Sequence, residues 1–126
     1  MKVSKKKKHK KIKRKIQRRD NNNIPTFVYV LQSTMNSQKN YIGVTNNLQR
    51  RILQHNGFKT GGARYTKAHR PWKFYAIFEM KNRHDALSLE WKAKHRHSKC
   101  DGSGLSGKIE RIRRIGKLYV ICKQHM

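Results

Sequence analysis

The sequence predicts a small α+β domain in the order ββαβαα, a three-stranded antiparallel sheet flanked by helices. Three observations lead there. Short runs rich in β-branched and aromatic residues alternate with segments of helical periodicity. Capping and turn residues separate them. The 126 residues, 35% of them hydrophobic, provide for one modest core and not for two.

The elements follow in chain order. Residues 1–23 are low in complexity, with twelve Lys and Arg before residue 20. Only Val3, Ile12 and Ile16 there are apolar beyond the initial Met, so the segment is expected to be a disordered polybasic tail. Pro25 opens the folded part. Residues 26–32 (TFVYVLQ) and 40–44 (NYIGV) read as a strand hairpin around a polar turn at 33–39. Gly43, late in the second strand, marks a bulge or a close backbone approach. Asn46, with Gln49 three residues on, has the pattern of a helix cap. Leu48, Arg51, Ile52 and His55 then share one helical face, and Asn56-Gly57 ends the helix. Residues 58–71 form a basic loop, and 72–79 (WKFYAIFE) a third strand. Asn82 caps a second helix expected to reach about His97. Its apolar surface comes from Ala86, Leu87, Leu89 and Ala93, with Trp91 assigned to packing. Residues 105–115 carry Leu105, Ile109, Ile112 and Ile115 at helical spacing. Residues 118–122 (LYVIC) are an apolar stub, either a short strand or a packing tail. The division is thus a tail over 1–23, a domain over 24–98, and a helical extension over 99–126 packed upon it.

Charge narrows the function. The chain carries 32 Lys and Arg against 6 Asp and Glu, a formal +26. Beyond residue 23 there remain twenty bases against five acids, about +15. A tail alone can be a localisation signal, but a basic folded body needs a polyanion. Nucleic acid is the expected partner. A membrane is not: no segment reaches the roughly 18 apolar residues of a span, and no basic helix has a clean aromatic face. Cys100 and Cys122 make no disulfide framework, so a reduced intracellular protein with free thiols is expected. The tail reads as a nuclear localisation signal, a non-specific DNA clamp, or both; as a signal it points to a nucleus, that of a eukaryotic cell or of a viral host.

Five residues can carry chemistry. Glu90 is one of the few acids in the body, in mid-helix beside Ala86, Leu87 and Ala93. Its plain reading is an i,i+4 ion pair with Lys94; its functional reading is a carboxylate for a hard cation such as Mg²⁺. Arg51 and His55 share a helix face, as a solvated basic edge or as phosphate ligands. Tyr29 and Tyr41 lie on neighbouring strands, as core aromatics or as phenols whose pKa nearby cations lower.

In order along the chain these residues form a pattern. Phe27-Val28-Tyr29 and Tyr41-Ile42-Gly43, separated by eleven residues, resemble the paired signatures of the GIY-YIG nuclease superfamily. Arg51-Ile52-Leu53-Gln54-His55-Asn56 resembles that family's R-x-x-x-H-N helix, and Glu90 falls where the family places its metal-binding glutamate. The resemblance covers about residues 26 to 97. His55 to Ala63 (HNGFKTGGA), Pro71-Trp72 and Ala86-Leu87-Ser88-Leu89-Glu90-Trp91 are similar to one branch, the nuclease subunit of the eukaryotic structure-specific endonuclease. Ala63-Arg64-Tyr65-Thr66 is closer to small single-domain bacterial members. Two departures stand out. Phe27 replaces a glycine, and the branch's RING-like zinc module, which normally follows the nuclease domain, is expected to be missing. Cys100, Cys122, His95, His97 and His125 lack zinc-site spacing.

The resemblance implies a metal-dependent endonuclease hydrolysing DNA phosphodiester bonds, structure-specific for flaps or junctions, in repair or recombination. It implies one divalent cation, Mg²⁺ or Mn²⁺, held by Glu90. Tyr29 would deprotonate or position the attacking water, Arg51 would bind the phosphate, and His55 and Tyr41 would orient phosphate and nucleophile. Lys59, Arg64, Lys67 and Arg70, with the tail, would track the DNA backbone without reading sequence. A regulatory protein subunit is an implied partner. RNA stays open as a substrate, and so does the oligomeric state. The competing class is a non-catalytic nucleic-acid-binding protein, which needs the bases but has no use for Glu90. A basic structural protein explains the tail and not the motif pair.

Overall fold

Strand β1 (Thr26–Ser33) runs through the middle of the molecule, and its alternating side chains divide the interior in two. The computed structural model describes residues 25–125. The expected disordered tail over 1–23 lies outside them. On one side β1 pairs antiparallel with β2 (Asn40–Thr45), placing Tyr29 opposite Gly43 and Leu31 opposite Tyr41. On the other it pairs antiparallel with β3 (Trp72–Met80). Val28 and Val30 point to one face, with Ile42, Ala76 and Phe78. That face is covered by Ala86, Leu89 and Ala93 of helix α2 (Arg83–His95) and by Ile109, Ile112 and Ile115 of helix α3 (Gly104–Gly116). Tyr29, Leu31 and Trp72 form the opposite cluster, against Leu48 and Ile52 of helix α1 (Leu48–His55). A strand buried on both faces reads as a near-continuous apolar run, as residues 27–31 do.

The α+β class is as expected, but the sheet has four strands, not three. β4 (Ile121–His125) pairs antiparallel with the outer edge of β3, giving the order β2-β1-β3-β4. Four of its five residues are exposed, so hydrogen bonding to the edge of β3 holds it rather than a buried apolar face. Its one inward anchor is Ile121 on Gly116, where a Cβ would come within 2.8 Å of the Ile121 Cδ1. The stub over 118–122 is therefore split. Leu118 and Val120 are exposed, while the hydroxyl of Tyr119 meets Ser88 Oγ at 2.6 Å and accepts from Lys92 Nζ at 2.7 Å.

Helix ends differ in detail. α1 is capped by Asn47, one residue later than expected, because Asn47 takes the extended backbone of a cap and accepts from the Arg50 amide at 3.0 Å. Asn82 caps α2 as expected, accepting from the Asp85 amide. α2 ends at His95, two residues early. Trp91 does not pack in the core: it is 53% exposed and stacks on His95. The loop after α1 contains a 3-10 turn, Tyr65–Lys67. Among the described residues no helix is long and apolar enough to cross a membrane.

Candidate active site

Tyr29 is fully buried on β1, and its hydroxyl lies directly above Gly43 of β2. A Cβ on residue 43 would stand 2.4 Å from that oxygen, so only glycine fits opposite this tyrosine. The close approach expected at Gly43 is thus realised.

The four-residue spacing of Arg51 and His55 on α1 brings both to the Tyr29 hydroxyl. Arg51 Nε donates to it at 3.2 Å, and His55 Nε2 lies 2.7 Å from it. Arg51 Nη1 also donates to Gln54 Oε1 at 3.0 Å and to the Gly61 carbonyl at 2.7 Å, which fixes the plane of the guanidinium. His55 is fully buried, and its Nδ1 lies 2.8 Å from Thr66 Oγ1. The Thr66 hydroxyl has one hydrogen, and it donates to the Ala63 carbonyl at 2.9 Å. Thr66 Oγ1 must then accept from His55 Nδ1–H. In the neutral ring Nε2 carries the lone pair and accepts the Tyr29 O–H. Proton accounting thus makes Tyr29 a phenol that donates to a neutral histidine.

The electrostatics agree. Burial, with a smaller push from Arg51 and Arg70, lowers the His55 pKa to about 4. Burial raises the Tyr29 phenol to about 12 and outweighs the hydrogen bond and charge of Arg51. The lowered phenol pKa expected from nearby cations is therefore overturned at Tyr29: desolvation is the larger effect.

Tyr41 extends the cluster. Its ring stacks on Tyr29 with centroids 6.4 Å apart, and lies 5.0 Å from His55 and 6.0 Å from Tyr65. α2 packs on β1 and β2, so its polar side chains reach this edge of the sheet. Lys94 Nζ sits 5.7 Å from the Tyr41 ring and 3.2 Å from Glu90 Oε1. Glu90 is near enough for its charge to act on Tyr29. The ion pair with Lys94 is thus present, and the Glu90 charge acts on Tyr29. Among the described residues no group of three or more His, Cys, Asp or Glu converges, so a cation here would not be held by a cluster of three protein ligands. Magnesium sites often use one or two carboxylates and fill the remaining positions with water and phosphate oxygens, a pattern that Glu90 fits.

Of the expected backbone-tracking bases, Lys59, Lys67 and Arg70 line one cleft of about 420 Å³ beside α1, with Phe58 at 77% exposure. Arg64 is exposed but does not line that cleft. Arg70 has a structural task as well, donating from Nε to the His55 carbonyl at 2.7 Å.

Sequence reasoning missed Thr66, Gln54 and Gly61, which hold His55 and Arg51. It also missed how Asn56 works. Its side chain accepts from the Trp72 amide at 2.6 Å and donates to the Trp72 carbonyl at 3.0 Å, tying the helix end to β3. Trp72 Nε1 in turn donates to the Thr66 carbonyl at 2.8 Å. Apart from Arg51–Gln54, which is an i,i+3 pair on α1, these contacts involve loop or end residues with no periodicity to betray them.

Comparison with known proteins adds an independent line. The profile of the GIY-YIG catalytic domain matches residues 25–103. The chain is 40% identical over 115 residues to the structure-specific endonuclease subunit SLX1 of Ajellomyces capsulatus, covering 76% of this chain and 27% of that protein. It is 42% identical over 80 residues to the structure-specific endonuclease subunit slx1 of Talaromyces stipitatus, covering 60% and 21%. A UPF0213 protein of Lactococcus lactis is 43% identical over 70 residues, covering 56% of this chain and 67% of that one. The chain thus spans only about a quarter of the length of the SLX1-type relatives.

Proposed function

This chain belongs to the GIY-YIG catalytic domain family, and from that premise we propose that it is an endonuclease hydrolysing DNA phosphodiester bonds with one divalent cation. The observation that carries the reading is the convergence of Arg51 and His55 on the Tyr29 hydroxyl, on which the charge of Glu90 also acts, inside a body of about +15. A pure binder gains nothing from an acid that repels phosphate.

Glu90 would hold Mg²⁺ or Mn²⁺, which when bound would polarise the scissile phosphate and stabilise the leaving oxygen. Arg51, its plane fixed by Gln54 and Gly61, would bind a phosphate oxygen and support the extra charge of the transition state. Tyr29 would take a proton from the attacking water as it passes its own to His55 Nε2. A phenol titrating near 12 is a poor base alone, and the neutral imidazole behind it gives the proton somewhere to go. Tyr41 would pack and orient Tyr29 and His55. Lys59, Arg64, Lys67 and Arg70 would follow the backbone.

The finer reading is a cut at branched or flap DNA in repair or recombination, alongside a regulatory subunit. It is supported by the SLX1-type relatives, whose names describe a structure-specific endonuclease subunit. In this reading residues 1–23 act as a basic tail that adds DNA affinity and directs the protein to a nucleus, residues 24–98 cut, and 99–126 brace them. The second reading, a non-catalytic nucleic-acid binder, is favoured by one observation: the Lys94 pair gives Glu90 a structural task.

The experiment that separates them is a cleavage panel of flap, four-way junction, linear duplex and single strand, with Mg²⁺, with Mn²⁺ and with chelator. We expect metal-dependent nicks, concentrated on the branched substrates. Intact DNA across the panel with every divalent metal would leave the binder reading.

A further inference from the structure

A second cleft adjoins the site and shares Tyr41 with it. It encloses about 580 Å³ between the β1–β2 turn, the Tyr65 turn and the two helices α2 and α3. Lys39, Lys94 and Lys108 line it, together with Asn40, Tyr41 and Tyr65. Two features distinguish it from an ordinary basic surface.

The first is Lys108. Its half-buried ammonium donates to Asn40 Oδ1, a neutral amide, and the charges that act on it are those of Arg111 and Lys94. None of the ion pairs among the described residues includes it. Burial, then these like charges, lowers its pKa to about 8. A partly desolvated cation facing like charges calls for an anion.

The second is Tyr65. Its ring is braced by Tyr41 at 6.0 Å and Trp72 at 6.1 Å, yet the residue is 52% exposed. An aromatic ring held by two neighbouring rings and half open to solvent can serve as a stacking surface, and only a base outside a helical stack can lie on it.

We propose that this cleft seats an unpaired nucleotide next to the cut phosphodiester, with Lys39, Lys94 and Lys108 on its phosphate and Tyr65 against its base. The inference rests on the nucleic-acid reading of the site and deepens it. It makes the substrate a strand that leaves the duplex at the point of cutting. The cleft beside α1, with Lys59, Lys67 and Arg70, would hold the duplex side.

The test reads binding of the full chain in chelator, so that it succeeds or fails independently of cleavage. Affinities for a short single strand and for a blunt duplex are measured over a salt series. Tyr65→Ala should weaken the single strand roughly 5- to 150-fold, the range of one base–aromatic stack. Lys108→Gln should reduce its salt slope by about 0.7, the loss of one phosphate contact on a single strand. Tyr65→Phe and Lys108→Arg should bind as the wild type does, which separates stacking and charge from damage to the fold. Duplex binding should not move. Unchanged single-strand binding in both disruptive variants would overturn the proposal, and so would equal losses on single strand and duplex.

Discussion

The Thr66 hydroxyl fixes the proton positions of the site through a single hydrogen. Because that hydrogen goes to Ala63, His55 carries its own on Nδ1 and offers Nε2 to Tyr29. Thr66→Val should leave the buried Nδ1–H without an acceptor, costing about 1–3 kcal/mol in denaturant unfolding. Thr66→Ser should restore most of it. The same histidine sets a pH dependence. Its pKa of about 4 in the fold lies below the ordinary 6.5, so the unfolded chain takes up the proton first as pH falls. Its stabilising contribution should be complete above about pH 6.5 and lost as pH falls towards 4. Thermal melts between pH 7 and 4 should show this drop in the wild type and a smaller one in His55→Gln; identical slopes would contradict it. Residue types at helical spacing were enough to single out Arg51 and His55 as a pair. The direction of the Tyr29 shift was not legible, because it depends on burial set by α1 and β3 residues far apart in the chain. Thr66 was invisible for the same reason: a loop hydroxyl has meaning only once the loop has folded back on the helix.

Each element contributes a surface and an edge. Gly43 is the position where β2 must have no side chain, since Tyr29 occupies the space. Gly43→Ala should therefore cost about 1–3 kcal/mol in unfolding free energy from overpacking. Any cleavage by the wild type should fall more steeply than stability does. α3 acts differently. Ile112 is fully buried among α2 and the sheet, away from the Tyr29 cluster. Ile112→Ala should cost about 2–5 kcal/mol while DNA affinity well below the melting temperature stays unchanged. The central strand β1 was legible as a near-continuous apolar run buried on both faces, and α3 because its apolar period matches the face it buries; α2 was legible from its cap and from Ala86, Leu89 and Ala93, while Leu87 and Trp91 proved exposed. β4 was only half legible: its exposed residues carry no period, and its partner is a strand some forty residues earlier in the chain. The cap at Asn47 was missed by one position because Asn46 and Asn47 have the same side chain, and backbone geometry alone decides between them.

On the scale of the whole molecule, charge and architecture act together. In the proposed reading the chemistry lies on the Tyr29 face of the sheet, and two cationic clefts, each with an exposed aromatic residue, would hold the DNA. Six bases line them in all. With contacts of that number, affinity for branched DNA should fall by roughly a thousandfold between about 50 and 200 mM salt. A weak salt dependence would remove the clefts from the binding surface. The sequence told of a polyanion through its charge, and the motif order told of phosphate chemistry; the second cleft needed the fold, because Lys39, Lys94 and Lys108 come from three different elements. The most direct measurement pairs two readouts on Glu90→Gln with a branched substrate: cleavage in Mg²⁺ and affinity in chelator. The neutral amide keeps the shape of the side chain but removes the charge that would hold the cation. We expect cleavage at least a hundredfold slower and affinity within about twofold of the wild type. A variant that cuts at the wild-type rate would contradict the central role given to Glu90.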